Sequence, residues 1–213
     1  MRIKHLKTIL ELLLQMLRNQ LIHNDYLERG VGMDITIEYT TTLGEDEKKR
    51  VWEILCECDK EFVPPLSARE NSAENELLGE GAEDAEPVEH FEEMIEENFL
   101  LAKDQASGEV VGFLTFRNGY ECHELRNHAP SNYITTICVT KTYRNNGITK
   151  RFYHHMNKEN LPEQAHASYV TTRTWNGNGA HIKVLETIGF EVAERLENHR
   201  GEGIDTIYFA KPM

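Results

Sequence analysis

Asn132-Tyr-Ile-Thr-Thr-Ile-Cys-Val-Thr-Lys-Thr-Tyr-Arg-Asn-Asn-Gly-Ile-Thr-Lys-Arg-Phe-Tyr-His-His-Met-Asn-Lys158 changes its hydrophobic period once, near its middle. Tyr133 to Val139 is rich in β-branched and aromatic residues, the composition of a buried strand. From Gly147 onward Ile148, Phe152 and Met156 recur every four residues, which is one face of a helix. Arg144-Asn145-Asn146-Gly147-Ile148-Thr149 is therefore a tight joint between a strand and a helix.

Such a joint suits an anion. The first amides of a helix have no intrahelical partner and carry the positive end of its dipole, so a phosphate there gains hydrogen bonds and favourable charge together. Gly147 leaves the approach open, Arg144 offers a forked permanent cation, and Thr149 adds a hydroxyl. The stretch is neither a P-loop nor a Rossmann fingerprint, because the glycine spacings of both are missing.

The 213 residues suffice for one well-buried domain, and no repeat or heptad run interrupts them. Their net charge of −13 argues against a nucleic-acid partner, whose phosphates need a positive surface. Nearly all of that charge is local: residues 70 to 102 hold twelve acidic residues and neither Lys nor Arg. Such a run is either a solvated surface or an attraction for a cationic amine. Cys56, Cys58, Cys122 and Cys138 show no zinc spacing, so no metal is expected, and reduced thiols fit a cytoplasmic protein.

Residues 1–33 form a separate amphipathic extension, with Ile3, Leu6, Leu10, Leu13, Leu17 and Leu21 on one helical face. Glu11 interrupts the apolar run and the polar face is not strongly basic, so neither a signal peptide nor a membrane association is expected. Docking on the domain or on a second subunit, as in a homodimer, is the alternative. Met33 is a second candidate start of translation, which an intact mass of the native protein would test.

From residue 34 the chain reads in alternating elements. Ile35, Ile37 and Tyr39 share one side of a first strand, and a helix follows with Val51, Ile54, Leu55, Cys58 and Phe62 as its apolar positions, ended by Pro64-Pro65. A short helix after Pro87 leads to a hairpin, Phe99 to Asp104 and Glu109 to Arg117. Beyond the central joint, Ser168 to Thr174 is a strand, Asn178 to Gly189 a helix with a glycine terminator, and Asp205 to Lys211 a last strand.

Residues 34–213 resemble the GNAT superfamily of N-acetyltransferases. The family carries Arg/Gln-x-x-Gly-x-Gly/Ala between its fourth strand and the next helix. Arg144 and Gly147 match this pattern, and Thr149 stands where Gly or Ala is usual. Later come an Asn, a helix and a Gly-Phe pair, a spacing kept by Asn178 and Gly189-Phe190. The resemblance implies an α/β fold, a mixed central sheet of about seven strands with helices on both faces and strands four and five splayed. It implies acetyl-CoA as co-substrate, its pantetheine arm against the backbone near Ile137 and Val139, its pyrophosphate on the amides of Asn145, Asn146, Gly147, Ile148 and Thr149, and Asn178 bonded to the arm. The acetyl group would pass directly to an amine of a small molecule or peptide, without an acyl-enzyme.

Proton transfer departs from the pattern. The family's usual Tyr, seven residues after the Asn, is Leu185 here, and His181, on the same helical face, is the candidate acid. A lysine-like amine must lose a proton at a cost of about 4–5 kcal/mol at pH 7. The central strand offers only Thr135 and Thr136, so Glu124, His123 or a water chain are the candidate bases. These departures also admit a CoA-binding sensor that has lost its catalytic groups.

Overall fold

The computed structural model describes residues 34–69 and 85–213. The extension over 1–33 and much of the acidic run lie outside the described residues. The elements are β1 (Ile35–Thr40), α1 (Glu45–Cys58), α2 (Val88–Met94), β2 (Asn98–Asp104), β3 (Val110–Tyr120), β4 (Ser131–Val139), α3 (Ile148–His155), β5 (Tyr169–Trp175), α4 (Gly179–Thr187), β6 (Glu191–Leu196) and β7 (Thr206–Pro212). No helix among the described residues is long and apolar enough to cross a membrane.

The seven strands form one mixed sheet in the order β1-β2-β3-β4-β5-β7-β6. Alternation along the strands divides it into two cores. Leu100 and Ala102 of β2 and Ile134 of β4 face α3 and α4, meeting Ile148, Phe152 and Tyr153 of α3 and Leu185 of α4. Phe99 and Leu101 face the other way, with Phe113 and Cys138, against Val51, Ile54 and Leu55 of α1 and Met94 of α2. Phe99, Phe113 and Phe152 are fully buried, each contributing about 1.5–3 kcal/mol of apolar transfer.

β4 and β5 are parallel and pair only from Ser131 with Tyr169 to Ile134 with Thr172. Beyond that rung each strand is held on its outer side alone: β4 follows β3 to Val139, and β5 follows β7 to Trp175. The paired end is fastened by a 2.7 Å hydrogen bond between the Ser131 and Thr171 hydroxyls. The last rung is marked by Thr172 Oγ1 donating to Ile134 O. The splay expected of strands four and five is thus present.

A bulge coincides with the split. Thr115 pairs with Thr136 and Phe116 with Ile134, so Thr135 has no opposite number on β3. The side chains of Thr135 and Thr136 consequently fall on one face, the α1/α2 face: Thr135 Oγ1 meets Thr115 Oγ1 at 2.7 Å, and Thr136 Oγ1 meets His90 Nε2 at 2.9 Å. Close packing of β3 on β4 here requires Gly112, whose added Cβ would lie 2.9 Å from Cys138 O.

Candidate active site

The site begins at the joint. Gly147, at φ +73°, turns the chain into α3 and offers no side-chain cap. The hydrogen bond that opens the helix runs from Arg151 N to Gly147 O, so the N–H groups of Ile148, Thr149 and Lys150 precede the ladder. This uncapped turn fits an anionic group. Asn145, at φ +63°, and Asn146 are exposed beside it, Thr149 is half-buried, and the Ile148 side chain is buried in the α3 core.

Arg144 does not extend toward that turn. Its Nε donates to Val139 O at 2.9 Å, its Nη1 to Glu61 Oε1 at 2.8 Å and its Nη2 to Cys58 Sγ at 3.4 Å. The fork expected on phosphate instead ties the end of β4 to the end of α1. Val139's carbonyl is thereby occupied, while Ile137, half-buried, and Val139, buried, line the α3/α4 side of the open stretch of β4.

Asn178 caps α4. Its Oδ1 accepts from His181 N at 3.4 Å and its Nδ2 donates to Thr174 Oγ1 at 3.1 Å. His181 Nε2 is hydrogen-bonded to the Tyr153 hydroxyl at 2.7 Å, with the rings stacked at 5.9 Å, and burial lowers its pKa to about 4. Tyr153 is itself buried, which holds its hydroxyl protonated. Leu185 is fully buried.

On the opposite face lies a polar cluster that no local spacing announces. Glu97, 7% exposed, accepts from Thr135 Oγ1 through Oε2 and from Arg117 Nε through Oε1 at 2.7 Å. His90, 1% exposed, holds Thr136 through Nε2, and among the described residues its Nδ1 has no partner. Burial first, then Arg69, lowers its pKa to about 4, so it is a neutral imidazole at pH 7. Two groups capable of taking a proton thus reach the central strand at its bulge. An open cleft of about 750 Å³, with Glu93, Glu96 and Glu97 in its lining, meets this cluster.

Glu124 sits elsewhere. It lies in the turn His123–Leu125 beside Cys122, toward the end where β4 and β5 are still paired. The carboxylate that touches the central strand is Glu97. Sequence spacing could not find it across 38 residues, but the Thr135-Thr136 doublet, which breaks the strand's alternation, was a usable sign of the bulge. Cys138 is buried beside Cys58, and burial raises its thiol pKa well above the ordinary value, so it offers no thiolate for nucleophilic attack.

A seven-stranded mixed sheet, split between two parallel strands and carrying a bare helix N-terminus at the end of the split, defines the N-acetyltransferase fold. The chain belongs to the acetyltransferase (GNAT) family, whose model matches residues 50–190. Among solved structures, an N-acetyltransferase from Staphylococcus aureus Mu50 is similar with a TM-score of 0.59 at 13% identity, over 84% of this chain and 98% of that one. Arabidopsis thaliana NAA60 in complex with a bisubstrate analogue is similar with a TM-score of 0.57 at 18% identity, over 83% and 98%. These identities make the likeness one of fold. No curated protein matches the chain.

Proposed function

We propose that the protein transfers an acetyl group from acetyl-CoA directly to an amine. The observation that carries this reading is the coincidence, at one bulge of β4, of the split from β5 with a buried carboxylate and a buried neutral imidazole. The N–H groups of Ile148, Thr149 and Lys150, with the approach over Gly147 and Asn146, would hold the diphosphate, and the free edge of β4 at Ile137 would receive the arm. When bound, acetyl-CoA supplies a thioester whose carbonyl the amine can attack; a C–N bond forms, the C–S bond breaks and the thiol departs.

The chain's own residues handle the amine's proton. Glu97 takes it through the Thr135 hydroxyl, and His90, kept neutral by burial, steadies Thr136 beside it. For His181 the hydrogen bond to Tyr153 supports a packing role between α3 and α4. A departing thiolate needs little assistance, because a thiol pKa of about 8.5 lies close to neutrality.

Thiol release from acetyl-CoA, measured against a panel of polyamines, amino sugars, amino acids and peptide N-termini, tests the reading. Turnover with at least one acceptor supports it. Tight CoA binding without turnover on any acceptor favours the sensor, a reading to which the buried Leu185 contributes.

A further inference from the structure

Three guanidinium groups converge on the α1/α2 face beside the split. Arg69 donates through Nε and Nη2 to Pro64 O, at 3.2 and 2.9 Å, and lies over the Phe62 ring. Arg200, in the loop between β6 and β7, donates through Nη1 to Val63 O and through Nε to Thr206 Oγ1 at 2.9 Å, and lies 5.7 Å over Trp175. Their anchoring carbonyls belong to adjacent residues, so the two cations are close neighbours. Arg173 Nη1 donates to Tyr208 Oη at 3.4 Å, and Arg173 and Tyr208 pair across β5 and β7 two positions from Trp175 and Thr206, which places the third cation on the same face.

Like charges gathered this way repel unless an anion joins them. Burial first, and then Arg200 and Arg173, lowers the pKa of Arg69 to about 9, and burial and then Arg173 lower that of Arg200 to about 10. Among the described residues neither makes an ion pair, and the carboxylate that favours Arg69's charge, Asp59, already bonds Ser67 and Lys60. Among the described residues Arg69 Nη1 and Arg200 Nη2 therefore remain as donors without a hydrogen-bond partner.

The cluster has a fixed relation to the proposed chemistry. Arg173 follows Thr172 on β5 as Thr135 follows Ile134 on β4, so the two stand at the first positions past the last rung, on either side of the split. Arg69 also acts on His90, whose buried Nδ1 has no partner among the described residues. An acceptor with its amine at the bulge would thus carry its other end into the arginines.

We propose that the acceptor is an amine bearing a carboxylate or phosphate-type oxyanion a few bonds from its nitrogen, as in a free amino acid, and that Arg69, Arg173 and Arg200 bind that oxyanion. This rests on the transferase reading for the position of the amine, but the anion site can be tested without turnover.

Binding of N-acetyl-L-methionine and N-acetyl-L-phenylalanine, and of their methyl esters, is measured by calorimetry on the full chain with CoA present. N-acetyl phosphoethanolamine serves as the phosphate arm. The acids, the phosphate or both are expected to bind at least about tenfold more tightly than the esters, a difference set by charge-assisted hydrogen bonds. Arg69→Gln and Arg200→Gln should remove that preference while CoA affinity is kept, which also certifies folding. Where a variant does not fold, the wild-type comparison of acid with ester decides. Equal binding of acid, phosphate and ester, or no binding of any, overturns the proposal. Acid-selective binding with no amine acetylated upholds the anion site and defeats the transferase reading instead.

Discussion

At the scale of single residues, β4 has neither carboxylate nor imidazole of its own, and the proposed proton transfer draws on neighbours. Glu97 comes from the turn before β2 and His90 from α2, and each reaches a neighbouring threonine only because the bulge turns both hydroxyls to one side. Glu97→Gln keeps the hydrogen-bonding shape and removes the base, so kcat should fall by about 10²–10⁴-fold, with the KM for acetyl-CoA little changed. A steady-state comparison with the preferred acceptor checks this, and an unchanged kcat takes Glu97 out of the reaction. His181→Ala should behave otherwise. It deletes a part-buried hydrogen bond to Tyr153, with an expected loss of about 1 kcal/mol in denaturant unfolding and a kcat close to that of the parent. A large fall in kcat without loss of stability would return His181 to the role of acid. None of these side-chain partnerships could be read from spacing, since residues 90, 97, 135 and 136 are neighbours only after the sheet has formed.

At the scale of elements, the strand-joint-helix reading of residues 132–158 holds, because the switch from β-branched alternation to a four-residue recurrence is a local property. The joint supplies the bare amides expected at the helix start, and the chain enters them through Gly147 in a left-handed conformation. What local reasoning could not supply was the direction of Arg144. A long cation takes the nearest acceptors in three dimensions, and these are Val139 O and Glu61 rather than the helix start. Asn178, likewise, is spent on capping α4. β6 escaped because Val192 is exposed and its strand lies at the sheet's edge, where burial imposes little pattern. Two substitutions probe this level separately. Gly147→Asp places a side chain and a negative charge at a positive-φ cap, and should abolish CoA binding in a calorimetric titration while lowering stability by about 1–2 kcal/mol. Gly112→Ala pushes a methyl to within 2.9 Å of the Cys138 carbonyl and 3.2 Å of the Val139 side chain. It should cost about 1–3 kcal/mol by forcing β3 off β4, read as a lower midpoint in urea unfolding with or without CoA.

At the scale of the whole molecule, each side of the sheet carries a histidine that the fold keeps neutral, His90 fully buried and His181 half-buried. His90 lies under α2 and His181 between α3 and α4, and burial lowers the pKa of both to about 4 against an ordinary value near 6.5. The sign of the consequence follows from where protons go. Below about pH 6.5 the unfolded chain binds a proton on each imidazole and the folded chain does not, so stability is complete above that pH and falls as the pH drops toward 4. From about pH 7.5 to about pH 5 each histidine should remove about 2 kcal/mol, a large part of the margin of an ordinary domain. His154 and His155, lowered by partial burial, act in the same direction. Carboxylates held low in the fold, such as Glu47 under the Gly44 N–H, lose their contribution only at lower pH, so the window between about 6.5 and 5 isolates the histidines. Urea unfolding across that window should give a stability that declines steadily with acidity, and His90→Asn should flatten the decline by roughly half. A stability that stays level down to about pH 5 would mean that the imidazoles gain protons inside the fold as readily as outside it, and that burial does not keep His90 neutral beside Thr136 below about pH 6.5.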